Sequence, residues 1–318
     1  MSEYGQSDAS ADAVGDMLRA ELAHGDAVLA TTGPIIRHLL LNDDHTLFND
    51  QVIAHIRGMT ANIARQLIFA VVEQDGAQAD NFIGQRTNML AAKLLDEAEF
   101  LSHLHALAIE TLVSERLSQR IGIDPVRSPF LQELAVSSEQ QISATAMRTI
   151  AAQARFVQQG HRMELAITEL PQELFDLALS ALIDGLAREK DAVAAASAQL
   201  REYYDPSQRR AQHFATLVGM MEANATEALE IDRAGLAFFS STLSLLSDQP
   251  RDFTILSLGE KQSLRLAVEL CSAGLEKSLV EEQLHYLHPD LALPEGFENL
   301  TADDAMALLA KLPSAEKA

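Results

Sequence analysis

An all-α fold is what this sequence predicts, and three observations carry it. Apolar residues recur almost throughout with the 3.6-residue period of an amphipathic helix. Alternation of β-branched residues, the mark of strands, is nearly absent, and no proline falls between Pro34 and Pro125 to interrupt long helices. The arrangement of the helices is left open between two forms: stacked helical hairpins, an α-α superhelix of the HEAT kind, or an irregular helical bundle. From Pro129 the prolines fall at 171, 206, 250 and 289, near the roughly 40 residues that a helical hairpin with its turns requires. LPQELFDLAL (170–179) and QPRDFTILSL (249–258) also share a proline, an acid two residues on and an apolar residue three on.

In chain order, residues 1–12 are polar and acidic and are expected to form a disordered tail; a signal peptide would be basic and then apolar. Residues 13–124 read as an N-terminal helical region. Ile56, Met59, Ile63, Leu67 and Val71 share one stripe, with Arg57, Arg65 and Glu73 off it. Met89, Ala92 and Leu95 with Leu90 and Leu94, and then Leu101, Leu104, Ala108 and Leu112, continue the pattern. GIDPVRSP (122–129) breaks it. A second helical region follows over 125–290, including the stripe Leu174, Leu177, Ala181. Residues 234–247, AGLAFFSSTLSLLS, carry no charge on any side, which places that helix in the centre of the C-terminal half. The last region, 291–318, is a loop followed by a short amphipathic helix over 301–312, TADDAMALLAKL.

Capping chemistry marks the starts. Ser128-Pro129, Asp205-Pro206 and Gly33-Pro34 each put a cap residue before a proline at the first helical position, where the missing N–H is not needed. Ser138/Gln141, Ser257/Glu260, Ser278/Glu281 and Thr301/Asp304 have the three-residue spacing in which hydroxyl and carboxyl or amide side chains cap each other's backbone. LSLGEKQ (256–262) resembles the signature segment of ATP-binding-cassette ATPases. That segment acts beside a phosphate loop of the form GxxxxGK[ST], and the closest glycine pairs here, Gly25 with Gly33 and Gly76 with Gly84, lie eight apart. The same spacing excludes GxGxxG and GxSxG. The segment is therefore read as a helix start capped by Ser257 and Glu260, with Gly274 as its stop.

The 318 residues are 47% apolar and carry a net charge of −22 spread along the whole chain, a field that repels phosphate backbones and anionic membranes. No nucleic acid or membrane partner is expected; the acidity favours solubility or a basic partner protein. Cys271 is the only cysteine, so no intramolecular disulfide or cysteine-based zinc site can form. Its neighbours Leu266, Leu270 and Leu275 make it a packed thiol. The 18 Arg against 6 Lys, with abundant Ala, fit a GC-rich bacterial genome.

Several groups have residue types at spacings that chemistry could use. Glu21/His24 and Glu282/His285, the second followed by His288, have the Glu-x-x-His spacing of carboxylate-bridged metal bundles, but some 260 residues separate them and no bridging glutamates stand at suitable intervals. Asp96, Glu99, His103 and Glu110 share one face, opposite Leu101, Leu104 and Ala108, and read as a solvated face. His55 could accept a phosphoryl group, and Ser314/Lys317 has the spacing of a nucleophile pair but lies in the tail. Tyr203-Tyr204 would pack over helix ends, beside Arg209-Arg210, the only adjacent basic pair and a local interruption of the acidic surface. No catalytic, cofactor or metal residue is assigned. The expectation is a non-catalytic, cytoplasmic scaffold or adaptor that binds another protein; the alternative is a helical-bundle enzyme or small-molecule or metal binder using scattered Glu and His.

Overall fold

A computed structural model describes residues 15–28, 32, 36, 50–75, 80–259 and 262–310. Among them there is no strand; fifteen α-helices are joined by loops and short 3₁₀ turns. In chain order they are α1 (15–28), α2 (Asp50–Asp75), α3 (Asp80–Leu95), α4 (Ala98–Ile121) and α5 (Pro129–Ala135). Then follow α6 (Gln140–Gly160), α7 (Gln172–Gly185), α8 (Lys190–Tyr203), α9 (Arg210–Met221) and α10 (Ile231–Ala234). The last are α11 (Leu236–Leu246), α12 (Arg251–Leu256), α13 (Ser263–Ser272), α14 (Lys277–Leu287) and α15 (Ala302–Ala310). The chain divides into two compact units, each assembled from separate stretches. One comprises Met1–Thr32, Val113–Ser143 and Phe214–Ala318; the other comprises Gly33–Leu112 and Ala144–His213.

The proline-free stretch yields the longest helices, α2 with 26 residues and α4 with 24; α2 and residues 98–112 of α4 belong to the unit holding Gly33–Leu112 and Ala144–His213. The stripe Ile56, Met59, Ile63, Leu67 and Val71 is buried, and α2 packs through it on α3, α7 and α8, while α3 packs on α7. A stack of hairpins would join only sequence neighbours. Here α2 meets α8, more than a hundred residues away, so the all-α class stands and the 40-residue repeat is not confirmed. On α3 Thr87, Leu90, Leu94 and Leu95 are buried; Met89 and Ala92, expected on that stripe, are exposed. Asn62 and Gln66 of α2 clamp the chain after α6. Gln66 Nε2 donates to the Leu165 carbonyl (2.7 Å), Ile167 N donates to Gln66 Oε1 (3.0 Å), and Leu165 N donates to Asn62 Oδ1 (3.3 Å). The approach requires glycine at 58, where a Cβ would stand 2.7 Å from the Met163 carbonyl oxygen.

In the other unit the uncharged helix α11 is at the centre, as its all-round apolarity requires: every residue from Leu236 to Leu243 is buried. The 3₁₀ segment Glu222–Leu229 and helices α10, α12 and α13 surround it, and α13 packs in turn on α14 and α15. Phe238 joins Phe130 (ring centroids 5.7 Å apart) and Phe214 (5.5 Å). Gly235 enters α11 at φ 72, with a Cβ site 3.1 Å from Ser128 Cβ, so a side chain would meet both strain and contact.

Three starts form as expected. Ser128 caps α5 ahead of Pro129, Asp205 caps the 3₁₀ turn ahead of Pro206, and Thr301 and Asp304 cap α15 reciprocally, Asp304 N donating to Thr301 Oγ1 (3.1 Å) and Thr301 N to Asp304 Oδ2 (3.4 Å). Two do not. Ser278 lies inside the first turn of α14, behind Glu276. Ser257 ends α12 instead of starting a helix, and α13 begins only at Ser263; Glu260 and Gly33-Pro34 lie outside the described residues. Gly274, at φ 87, does follow the end of α13. α6 starts at Gln140, where the Ser137 hydroxyl accepts from the Glu139 amide (3.2 Å).

Candidate functional site

Charged side chains converge inside the fold at two places. The first corrects two expectations. Glu110, expected on a solvated face of α4, is buried, and Arg210, expected on the surface, is buried against it as the first residue of α9. Arg210 NH1 and NH2 donate to Glu110 Oε1 (2.6 Å) and Oε2 (2.8 Å), and NH1 also donates to Gln153 Oε1 of α6 (3.0 Å). The guanidinium lies 3.7 Å from the centre of the Phe156 ring, and the Arg210 amide donates to Glu169 Oε2 (2.9 Å). A fork of two N–H donors facing two carboxylate oxygens is the strongest pairing available to these groups. Both oxygens of Glu110 are occupied by it.

In the other unit Arg265 of α13 serves two carboxylates. Its Nε donates to Glu269 Oε1 (3.1 Å), one NH group pairs with Asp26 of α1, and the other donates to Gln249 Oε1 (3.3 Å). The Ser257 hydroxyl lies 3.3 Å from Glu269 Oε2 and 2.8 Å from the Thr254 carbonyl oxygen. Burial pushes the Glu269 carboxyl from 4.5 up to about 7, against the opposing pull of Arg265 and of the hydrogen bond from Ser257. Burial also raises Asp26 despite the same arginine. One cation is thus shared by the buried Glu269 and the half-buried Asp26, and its pull on each is outweighed by desolvation. Gln262 Nε2 donates to the Gly25 carbonyl beside this cluster (3.0 Å), tying α1 to the start of α13.

The other residues singled out from the sequence do not assemble into a reactive centre. Glu21 and His24 are exposed on α1, and Glu282 and His285 on α14; among the described residues no group of three or more His, Cys, Asp or Glu is placed to hold a metal ion. His288 sits against the Leu258 carbonyl oxygen, 3.0 Å from its Nε2. His55 is only 6% exposed, too enclosed to meet a phosphoryl donor. Asp96 and Glu99 do face solvent, whereas His103 is buried with Glu110, a second departure from the expected solvated face. Tyr204 stacks on Phe175 (4.0 Å) and donates to the Leu170 carbonyl (2.9 Å), while Tyr203 stands 71% exposed. Cys271 is buried and burial raises its thiol pKa, as a packed thiol requires. Ser314 and Lys317 lie outside the described residues.

An open cavity of about 390 Å³ lies at the GIDPVRSP break, lined by Asp124, Arg127, Asp232 and Tyr286 among others. Its polar groups engage one another. Asp124 Oδ1 accepts from the Val126 and Arg127 amides (2.8 and 2.9 Å); burial raises its carboxyl, but those amides and the Arg127 guanidinium outweigh it and hold the pKa below the usual value. Burial and the neighbouring Asp232 raise Tyr286.

One surface of α6 lies outside the residues singled out above. On α6, Thr145, Ala146, Thr149, Ala152, Gln153, Phe156 and Gly160 are buried, and the opposite side exposes Ala144, Met147, Arg148, Ala151, Ala154, Arg155 and Gln158. The signal was present: between Gln140 and Met163 there is no Asp or Glu, and arginines recur at 148, 155 and 162. Among the described residues no helix of the chain is long and apolar enough to cross a membrane. Set against protein-family models, curated proteins and solved structures, the chain matches none of them.

Proposed function

We propose that this chain is a non-catalytic helical protein of the cytoplasm that acts by binding another protein. The observation that carries the reading is how the charges inside the fold are used. Glu110 has both oxygens on Arg210, and Arg265 is divided between Asp26 and Glu269. A catalytic pocket needs converging groups with a free face toward a substrate; these groups face each other and hold helices together. What remains for function is the exposed side of the helices. The net charge of −22 weighs against nucleic acid and anionic membranes and favours solubility.

The test is isolation of the tagged full chain from its native cell at about 50 mM and about 500 mM salt, with native mass spectrometry of what it carries. One polypeptide held in fixed ratio, identified in repeated preparations, supports the reading. A metal ion or small molecule held in fixed ratio, with no polypeptide, overturns it.

A further inference from the structure

We propose that the outer face of α6 is a docking surface and that its occupant is an amphipathic helix of a partner protein carrying carboxylates at seven-residue spacing. The inference rests on the protein-binding reading above and names its partner. α6 and the turn that closes it run from Gln140 to Met163 without an acid, although the chain holds 46 acids in 318 residues and a stretch of that length would carry about three or four. Arg148, Arg155 and Arg162 follow each other at intervals of seven, and all three are exposed. On a helix each step of seven turns the side chain by only about 20° and advances it about 10.5 Å, so the guanidiniums of α6 form a row that its closing turn continues to Arg162.

The buried arginines show what this chain does with a cation it has matched internally. Arg210 and Arg265 each have a carboxylate on them; among the described residues, Arg148, Arg155 and Arg162 have none, and Arg148 donates instead to Thr145 Oγ1 (3.1 Å). The field of the row is felt nearby. The imidazole of His213 is held below its usual pKa by burial first and by Arg148 and Arg155 as well, against the opposing pull of Glu169. Beside the row runs a line of low relief, Ala144, Ala151 and Ala154, with Met147 standing 63% exposed among them. Small side chains let a second backbone approach, and flanking charges choose the partner and its register.

Charge decides the occupant. A second copy laid α6 against α6 would set arginine against arginine. A nucleic acid would meet the row but also the field of a chain at −22, and would leave Met147 and the alanines uncovered. A helix with carboxylates on the flank of an apolar seam satisfies both parts of the surface.

The experiment uses two labelled synthetic four-heptad helices with the same Ala/Leu seam, one with Glu and one with Lys at the flanking positions. Their binding to the full chain and to its Arg148→Glu/Arg155→Glu variant is read by fluorescence anisotropy. Both substitutions are on exposed positions; circular dichroism verifies the fold, and an Arg148→Gln/Arg155→Gln variant serves if the charge reversal fails to fold. The expected result is at least tenfold tighter binding of the Glu helix to the native chain, with the preference reversed by Glu substitution and abolished by Gln. Equal binding of the two helices, no binding of the Glu helix, or a preference that survives both variants overturns the inference. So does a single-stranded DNA that outcompetes the Glu helix, or a dimer in sedimentation that the variant dissociates. A native partner that stays bound to the variant overturns this inference while the protein-binding reading stands; a native chain that carries no protein overturns the reading itself.

Discussion

Replacing Glu269 with glutamine is expected to remove a pH dependence of stability that the native chain carries. The carboxyl is fully buried on α13, with Arg265 on one oxygen and Ser257 near the other. Burial lifts its pKa from 4.5 to about 7 in the folded state, and unfolding returns it to the lower value. Between the two, the folded chain holds a proton that the unfolded chain has lost, so stability is full below about pH 4.5 and declines as pH rises through about 7. A displacement of about 2.5 units at about 1.4 kcal/mol each makes the decline about 3 kcal/mol. Asp26, raised by burial beside the same arginine, acts with the same sign. The assay is urea unfolding of the full chain, followed by the helical circular dichroism signal at about pH 5 and about pH 8. Most of that decline falls between the two pH values, so the native chain should lose about 2–3 kcal/mol across the interval more than the Glu269→Gln variant does. Repulsion among the surface acids grows with pH in both proteins and cancels in the difference. Parallel profiles for the two would refute the assignment of the proton to Glu269.

Other substitutions probe the remaining structure. Arg210→Ala leaves Glu110 buried with no cation, so it should cost about 3–5 kcal/mol in urea unfolding, and the Glu110→Ala/Arg210→Ala pair should cost less than the two single losses summed; additive losses would sink the pairing. Gly58→Ala gains about 1 kcal/mol of helix propensity but drives a Cβ to 2.7 Å from the Met163 carbonyl oxygen, so a net loss near 2 kcal/mol is expected, and a stabilised variant would contradict the close approach. Thr301→Ala breaks the reciprocal cap of α15 and should cost about 1 kcal/mol, with no change meaning that the cap does not hold the helix in solution.

The helical class and the main stripe of α2 were legible because periodicity is local: each turn repeats the same apolar demand within a few residues. α11 was legible for a related reason, since a helix without charge on any side has to be enclosed. Caps were legible only in part. Ser257 and Ser278 have the spacing of a cap, but the spacing does not say which helix owns the residue; Ser257 closes the helix that Pro250 precedes, and Glu276 comes ahead of Ser278. Glu110 and Arg210 were illegible, being a hundred residues apart with nothing in either neighbourhood to mark the other. Glu110 sits among residues that look like an ordinary polar face, and only the three-dimensional pairing makes its burial tolerable.

That difference between near and distant information bears on where function should be sought. An arginine inside a fold has to be matched, because an unmatched buried charge costs several kcal/mol, and the match is met wherever the fold brings a carboxylate. An arginine at the surface is solvated and carries no such obligation, so its neighbourhood is free to answer to something outside the chain. In a chain with almost twice as many acids as bases, an accidental row of cations would be expected to have acids scattered through it, and the row at Arg148, Arg155 and Arg162 has none from Gln140 to Met163. The acids that would neutralise it are supplied neither by its own helix nor, among the described residues, by any ion pair. Under the docking proposal, the carboxylates that face Arg148, Arg155 and Arg162 come from the partner helix, and the acid-free run from Gln140 to Met163 is the observation that favours seeking function there.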